Sequence, residues 1–304
     1  MKRALDVIVV AAILAILIGV VNDAAQTQLA DLKDQQRGSN MVLGLLCQHV
    51  VRLLEQPPYA GLQAVSVKVE VDAGSGSGVL VTRRVGNVTR SFVWTAGHVV
   101  ADQREKAKFK EVTIYRERRI NGVVVGVERT PAAVVAYSNA ETGDDLAILE
   151  IQRDNYSNIT AIFDTADVPR VGTPLIHVGC TLGLFNSVSQ GVISQTDRNL
   201  LGVGKTFDQT SCMGYPGSSG GGVYSARTGA CVGLLARSAG AGLNFIVPVR
   251  RIRAWARERG LEWALDPSIP VPTKTSVVFP PIDDTAECHR AGNQSKFPVL
   301  PVSQ

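Results

Sequence analysis

Three short stretches contain the residue types that together can activate a serine hydroxyl for attack on a carbonyl group. In chain order they read TAGHVV, GDDLAIL and YPGSSGGG, and they hold His98, Asp145 and Ser219. A serine hydroxyl is a poor nucleophile at neutral pH, so it needs a base within reach, and that base needs a third group to hold its tautomer. We therefore predict that Ser219 is a nucleophile, that His98 is its general base and that Asp145 orients the histidine.

The glycine-rich sequence around Ser219 suits a second requirement of acyl transfer. Negative charge develops on the attacked carbonyl oxygen, and each backbone N–H group aimed at it contributes about 3–4 kcal/mol. Glycine tolerates the backbone angles of a tight anion-binding turn. We predict an oxyanion hole at Gly217, Ser218 and Ser219, with the N–H groups of Gly217 and Ser219 as its donors.

Two neighbouring residues are alternatives for these roles. Ser218 precedes Ser219, but only Ser219 has a glycine two positions before it and a glycine pair directly after it. Asp144 precedes Asp145, but the strand-like alternation that runs on to Leu149 favours an inward direction for Asp145.

The order of the three residues along the chain separates two folds that share the G-x-S-x-G spacing. In α/β-hydrolases the order is serine, acid, histidine. After Ser219 this chain has only His289, which lies in a proline-rich segment. The order histidine, aspartate, serine is that of chymotrypsin-like double β-barrels.

Strand-like patterns also favour an all-β fold. Short runs rich in β-branched residues are separated by Gly and Asn at short intervals, which is typical of barrels and not of alternating β-α units. The predicted strands are Leu62–Asp72, Val79–Thr82, Val88–Trp94, Val112–Tyr115, Val123–Val127, Val134–Tyr137 and Leu146–Ile151.

On these motifs the chain resembles the trypsin-like serine peptidases, and in particular their HtrA/Deg branch. The three stretches are similar to the histidine, aspartate and serine motifs of that branch, residues 171–179 to the entry of the second barrel, and residues 242–248 to its closing strand. The resemblance covers roughly residues 61–260. It implies a chymotrypsin-like double six-stranded β-barrel with a C-terminal helix.

The chain also departs from the family pattern. Residues 211–215 replace the more usual acidic and small residues, Gly222 stands where proline is common, and Cys180 stands where asparagine is frequent. No segment similar to a PDZ domain follows the matched region, so regulation by such a domain is not expected. The resemblance places Met213, six residues before Ser219, at the specificity pocket. We expect small or medium apolar residues before the cleaved bond.

The resemblance implies a serine endopeptidase that cleaves protein or peptide substrates through an acyl-enzyme. No metal, organic cofactor or nucleic-acid partner is expected, and a homo-oligomer would fit the family. Two alternatives stay open at this point. One is a latent or inactive protease-fold binding protein, and the other is an esterase-type serine hydrolase.

The first 22 residues form a hydrophobic N-terminal segment. Met1–Arg3 is basic, and Ala4–Val21 is apolar apart from Asp6. Its 18 residues are near the lower limit for crossing a bilayer. We predict a transmembrane signal anchor over residues 1–22. A signal peptide cleaved near Asn22–Ala25 is the alternative. Either would place the protease domain on the exported side of the cytoplasmic membrane.

The remaining sequence is divided into three segments. Residues 23–60 are predicted to form a helical stalk or linker, with Asn40 as the N-cap of a helix over Met41–Glu55. The protease domain is expected over residues 61–264, with one barrel over about 61–155 and the other over about 165–248. Residues 265–304 contain seven prolines and are predicted to form a disordered tail.

Composition adds few constraints. The chain has 304 residues, of which 45% are hydrophobic and 19% charged, and its net charge of +4 is mild. Arginines cluster on a predicted helix, Val249–Arg259, whose buried stripe would be Ile252, Trp255 and Ala256. We interpret them as a solvated helix face, with an acidic-lipid or nucleic-acid patch as the alternative.

The five cysteines show no metal-ligand spacing. They are Cys47, Cys180, Cys212, Cys231 and Cys288. We expect buried thiols, with a Cys212–Cys231 disulfide as the alternative.

Overall fold

The computed structural model describes residues 2–55, 59–72, 74–105, 112–120, 123–141, 143–165, 169–200, 204–240 and 242–272. Within these ranges, the side chains of residues 2–13, 15–16, 47–55 and 102–105 are outside the description. The chain falls into two units, Met1–Pro57 and Pro58–Gln304.

The first unit contains one helix, α1, which spans Lys2–Glu55. It continues through Asn40, so the predicted N-cap there is wrong: the residues before Asn40 are already helical and leave no helix end to cap.

Among the residues that the structure describes, no helix is both long and apolar enough to cross a membrane. The predicted anchor over residues 1–22 falls largely on side chains outside that description. It therefore stays a prediction.

The second unit begins with a short helix, α2 (Tyr59–Ala64), so the predicted first strand starts later than expected, at Ser66. Six antiparallel strands then close the first barrel in the order β1-β2-β3-β6-β5-β4. They are β1 (Ser66–Val71), β2 (Gly74–Val85), β3 (Val88–Thr95), β4 (Val112–Ile120), β5 (Val123–Tyr137) and β6 (Ala147–Ile151). Helix α3 (Gly97–Glu105) directly follows β3.

The second barrel also has six antiparallel strands and closes in the order β10-β11-β12-β9-β8-β7. They are β7 (Pro174–Gly179), β8 (Ser187–Asn199), β9 (Thr206–Thr210), β10 (Gly222–Ser225), β11 (Cys231–Ser238) and β12 (Asn244–Pro248). Two closed six-stranded barrels confirm the predicted all-β architecture. His177, expected in a strand, lies in β7.

Helix α4 (Val249–Glu258) follows the second barrel and contributes buried residues to the hydrophobic core. Its buried residues include the predicted stripe of Ile252, Trp255 and Ala256. Trp255 packs edge-on against Trp94 of β3, with ring centroids 5.8 Å apart. The helix therefore shares one hydrophobic core with barrel one.

The arginines of α4 are not a uniformly solvated face. Arg250 donates to both carboxylate oxygens of Asp208 and to Asp197. The side chain of Arg251 is only 11% exposed and pairs with Asp144. These two arginines therefore form ion pairs within the protein.

Three cysteines have side chains that the structure describes, and all three are buried free thiols. The alternative of a Cys212–Cys231 disulfide is therefore wrong. Burial raises the pKa of the Cys180 thiol to about 11 and that of Cys231 to about 12, so neither is a thiolate at neutral pH. Cys47 and Cys288 have side chains outside the described residues.

The first residues of the predicted tail contact the protein. Leu265 and Val271 pack against the hydrophobic core, and Arg90 donates to the Pro272 carbonyl at 3.5 Å. The expectation of a disordered tail is thus not met for residues 265–272. Residues 273–304 lie outside the described residues.

Candidate active site

The pairing of two strands brings His98 and Asp145 together. Strand β3 pairs with β6, and Thr95 lies opposite Ala147. His98 is three residues beyond Thr95, at the start of α3, and Asp145 is two residues before Ala147. Asp145 has a φ of 56°, a left-handed conformation that aspartate adopts more readily than most residues. The register of these strands therefore sets the separation of the two side chains.

Asp145 contacts His98 through its ring and its backbone. Its carboxylate lies 3.0 and 3.1 Å from His98 Nδ1 and accepts the His98 backbone N–H at 2.9 Å. Backbone N–H groups in the first turn of a helix lack partners within the helix, so this second bond fixes the position of the carboxylate as well. Since a carboxylate accepts hydrogen bonds, Nδ1 carries a proton in this arrangement and Nε2 is free to accept one.

Burial and hydrogen bonding act in opposite directions on Asp145. Its burial disfavours the charged form, but the hydrogen bonds and charge of His98 outweigh this effect and lower the carboxyl pKa. The His98 side chain is 37% exposed, so the imidazole remains accessible to a substrate. The pair thus combines a buried, ionised acid with an accessible base.

Asp144 points to a different part of the molecule. Arg251 Nη2 of α4 donates to the Asp144 carboxylate and to its backbone carbonyl, each at 3.1 Å. Lys205 lies 3.3 Å from the same carboxylate. Asp144 is therefore an ion-pair partner, and the alternative that it orients the histidine is not supported by its geometry.

Residues 215–221 form a tight loop in which every carbonyl from Tyr215 to Ser219 accepts a hydrogen bond. The donors, in order, are Ser218 N, Leu182 N, Ser77 Oγ, Gly221 N and Ser77 N, at 2.9, 2.7, 2.7, 3.0 and 2.7 Å. Each trans peptide plane in this loop is consequently held through its oxygen.

Two backbone N–H groups of the loop have no acceptor among the described residues. The N–H groups of Gly217 and Ser219 donate no hydrogen bond within the described part of the chain, whereas those of Ser218, Gly220 and Gly221 all do. Gly217 has a φ of +89°, and a Cβ there would lie 2.5 Å from the Cys180 carbonyl oxygen, so glycine is required. Two free donors flanking one residue are the arrangement expected of an oxyanion hole.

Ser218, the alternative nucleophile, is fully buried, and its hydroxyl has two hydrogen-bond partners. Its hydroxyl lies 3.0 Å from Thr181 Oγ1 and accepts the Tyr215 N–H at 3.3 Å. Its backbone N–H donates to the Tyr215 carbonyl, so Ser218 contributes no donor to the predicted oxyanion hole. The candidate donors are therefore the N–H groups of Gly217 and Ser219, as the sequence predicts.

The serine loop lies against the part of barrel one that carries His98. Ser77 of β2 donates its backbone N–H to the Ser219 carbonyl at 2.7 Å. A Cβ on Gly220 would meet Thr95 Oγ1 and the backbone nitrogen of Ala96, two residues before His98. Ser219 and His98 make no mutual hydrogen bond among the described residues. Such bonds are often long before substrate binds.

Met213 differs from the sequence expectation. A residue at the base of a pocket should be buried, yet Met213 is 52% exposed. The neighbouring Gly214 instead faces a fully buried side chain: a Cβ on Gly214 would lie 2.9 Å from Asn244 Oδ1. Asn244 Nδ2 donates to the Cys212 carbonyl at 2.7 Å. Asn244 was missed because nothing in the sequence near it indicates a contact 30 residues earlier.

Two further residues of the site carry no recognisable sequence signal. Ser77 lies in a GSGSG stretch, which is typical of a flexible segment before a strand. Arg251 lies in an arginine-rich helix, which is typical of a solvated surface. Ser77 contacts the serine loop from barrel one, and Arg251 contacts the loop before β6 from helix α4. Only the packing of the two barrels reveals them.

Comparison with known proteins identifies the same region. A family model described as a trypsin-like peptidase domain matches residues 76–234, a range that includes all three candidate residues. DegS, a serine endoprotease of Haemophilus influenzae, is 37% identical over 115 residues, which are 34% of this chain and 33% of that protein. HhoA, a putative serine protease of Synechocystis, is 28% identical over 189 residues, 60% of this chain and 42% of that protein.

A DegP-like protein of Halomonas elongata, named a probable periplasmic serine endoprotease, is 29% identical over 180 residues, 57% of this chain and 32% of that protein. The chain thus spans between about a third and two fifths of the length of these relatives.

Two solved structures share the fold. Deg5 matches with a TM-score of 0.53 and 19% identity, covering 68% of this chain and 94% of Deg5. An inactive form of Rv3671c from Mycobacterium tuberculosis matches with a TM-score of 0.51 and 18% identity, covering 71% of this chain and 94% of Rv3671c.

Proposed function

Since the chain belongs to the trypsin-like peptidases, within their HtrA/Deg branch, we propose that it is a serine endopeptidase that cleaves protein substrates through Ser219, His98 and Asp145. The observation that carries this proposal is the combination at one site of the Asp145–His98 hydrogen bonds with the two free amides of Gly217 and Ser219. Together they supply a base and an anion-binding site on either side of one serine.

The proposed reaction has two halves. Ser219 Oγ forms a bond to the carbonyl carbon while its proton moves to His98 Nε2, and the N–H groups of Gly217 and Ser219 stabilise the oxyanion. His98 then gives that proton to the leaving nitrogen as the C–N bond breaks. Water attacks the acyl-enzyme, again losing a proton to His98, which returns a proton to Ser219 as the acid leaves. Asp145 stabilises the imidazolium in both halves.

The proposed substrate preference follows from the wall beside the serine loop. Asn244, which is uncharged, fills the space next to Gly214, so this wall offers no carboxylate that would select Arg or Lys. We therefore propose that the enzyme prefers small or medium apolar residues directly before the cleaved bond. Sequencing the products of a denatured protein tests it, and cleavage mainly after Arg or Lys would contradict it.

A latent or inactive binding protein is the main alternative. An unformed oxyanion hole would need at least one peptide of the loop turned the other way. Each carbonyl from Tyr215 to Ser219 instead has a donor, and this favours an active enzyme. An esterase-type hydrolase would use the same atoms, and comparison of matched peptide and ester substrates separates the two.

The proposed location follows the N-terminal segment and the relatives that are named periplasmic. We propose an extracytoplasmic protease domain, anchored in the cytoplasmic membrane by residues 1–22. The full chain should then stay in the membrane pellet after a carbonate wash, and a variant lacking residues 1–22 should not. A homo-oligomer stays a prediction that sedimentation can test.

The direct test of the proposed function uses a fluorophosphonate probe and a denatured protein substrate. The full-length chain should react with the probe and hydrolyse the substrate, and Ser219→Ala should do neither. Ser218→Ala is the matched control and should still react. Loss of labelling in Ser218→Ala alone, or full hydrolysis by Ser219→Ala, would show that Ser219 is not the nucleophile.

A further inference from the structure

Ser77 is a buried residue of barrel one that makes four hydrogen bonds at the junction of the two barrels. Its backbone N–H donates to the Ser219 carbonyl and its hydroxyl donates to the Gly217 carbonyl, each at 2.7 Å. The hydroxyl also accepts the Cys180 N–H, and the Ser77 carbonyl accepts the Thr95 hydroxyl, again at 2.7 Å. The backbone nitrogen, the backbone oxygen and the hydroxyl of Ser77 therefore all have hydrogen-bond partners.

The two hydrogen bonds that Ser77 donates hold the two peptide groups that flank the peptide between Ser218 and Ser219. A peptide plane that is held by its oxygen also has a fixed N–H direction. The Gly217 carbonyl belongs to the peptide between the two oxyanion donors, and the Ser219 carbonyl belongs to the peptide directly after the second donor. Ser77 thus restrains the backbone angles on which the convergence of those two N–H groups depends.

The side chain of Ser77 also connects this loop to a second segment. Cys180 N donates to Ser77 Oγ, and two residues later Leu182 N donates to the Pro216 carbonyl. That second bond holds the peptide whose nitrogen is Gly217 N. The hydroxyl of Ser77 therefore acts on the Gly217 donor from both sides, once directly and once through the segment 180–182.

We propose that Ser77 is a positioning residue that keeps the oxyanion hole in its open, two-donor geometry from the opposite barrel. The inference rests on the proposed function of the site. A backbone N–H at position 77 would be present in any residue except proline, so the specific contribution of serine is its hydroxyl. Without it, the Gly217 carbonyl and the Cys180 N–H would both be buried without this partner.

The test compares Ser77→Ala with Ser77→Thr, which retains a hydroxyl, and with Ser91→Ala. Ser91 is an equally buried serine of barrel one whose hydroxyl lies 3.2 Å from Thr82 Oγ1. Three quantities are measured on the full-length chain: kcat and KM for a peptide substrate, the affinity for a peptide boronate, and the affinity for the product peptide that carries the new amino terminus. The boronate forms a tetrahedral adduct that uses the oxyanion hole, and this product peptide, which has no oxygen at the position of the cleaved carbonyl, does not.

Ser77→Ala should lower kcat and boronate affinity by about 10- to 100-fold, somewhat less than the loss of a whole donor. KM, product affinity and the position of the pH profile should change little, because the His98–Asp145 pair is untouched. Ser77→Thr should recover part of the loss, and Ser91→Ala should show none of it. Equal weakening of boronate and product peptide, or no change in either, would overturn the proposal.

A crystal structure of Ser77→Ala provides a readout that does not depend on activity. The proposal expects the Gly217–Ser218 peptide to rotate or to occupy two orientations, and an unchanged peptide would refute it. If the unmodified chain neither hydrolyses substrate nor reacts with a fluorophosphonate, the proposed function fails, and the crystal structure still decides the role of Ser77.

Discussion

Arg251 of α4 is hydrogen-bonded to Asp144, the residue directly before Asp145, and so joins the helix that follows barrel two to the loop that carries the candidate catalytic acid. One guanidinium nitrogen of Arg251 donates to both the carboxylate and the backbone carbonyl of Asp144 at 3.1 Å, and its other terminal nitrogen donates to the Thr206 carbonyl at 2.7 Å. Asp145 therefore faces His98 while the residue before it is held by helix α4.

The first prediction concerns this contact. Arg251→Met keeps much of the side-chain length but removes the ion pair, so the loop around Asp145 should be less well held. We expect kcat to fall about tenfold and the free energy of unfolding to fall by about 1–3 kcal/mol, since Asp144 loses a charged partner. Activity assays and chemical denaturation measure both. Arg257→Met, at an exposed position of the same helix, is the control, and an equal effect there would contradict this role.

The second prediction separates the two adjacent aspartates. Asp145→Asn replaces a carboxylate that accepts from His98 Nδ1 with an amide that can stabilise the wrong tautomer, and kcat should fall by about 10³–10⁴-fold. Asp144→Asn keeps the shape and leaves the His98 contacts intact, so it should lower stability more than kcat. The reverse ranking of the two kcat values would assign the orienting role to Asp144.

The third prediction uses the conformation of the serine loop. Gly217→Ala places a Cβ 2.5 Å from the Cys180 carbonyl oxygen at a φ of +89°, so the loop must shift and one oxyanion donor should be lost. We expect kcat to fall by at least about 100-fold. Gly172→Ala is a matched control, because its φ is +85° but its Cβ would meet nothing within 4 Å. If both variants lose the same activity, backbone strain in general and not the oxyanion hole is responsible.

The fourth prediction concerns pH and the buried residue His177. Its Nδ1 lies 3.1 Å from the Gly222 carbonyl, its Nε2 is buried without a partner, and burial lowers its pKa from 6.5 to about 4. Above pH 6.5 the imidazole is neutral in both states. Between about pH 6.5 and 4 the unfolded chain binds a proton that the folded protein does not, so the free energy of unfolding should fall with pH, by about 3 kcal/mol in total.

Chemical denaturation of the unmodified chain and of His177→Asn at pH 7 and pH 4.5 measures this effect. Asparagine can donate to the same carbonyl but does not titrate. The variant should lose less stability on acidification than the unmodified chain. An equal loss in both would show that other groups account for the acid sensitivity.

Much of the architecture was predictable because it depends on local patterns. Alternating apolar residues predicted the strands of barrel one, although the predicted runs Val123–Val127 and Val134–Tyr137 are parts of one strand, β5. The order histidine, aspartate, serine selected a double barrel over an α/β-hydrolase. The start of β1 was placed too early, because an apolar residue such as Leu62 fits both a strand and the short helix α2 in which it lies. The predicted N-cap at Asn40 failed for a related reason, since a capping residue is informative only where a helix actually begins.

The sequence by itself determined which residues are candidates for the chemistry, because His98, Asp145, Ser219 and the glycines beside Ser219 lie in short motifs whose residue types and order limit what they can do. Only the tertiary structure decided which groups hold them. Ser77 contacts the serine loop from 140 residues away in the chain, and Arg251 of α4 contacts the loop before β6 from 107 residues away. Such contacts leave no local pattern. They depend on how two closed barrels pack, which is a property of the whole folded unit.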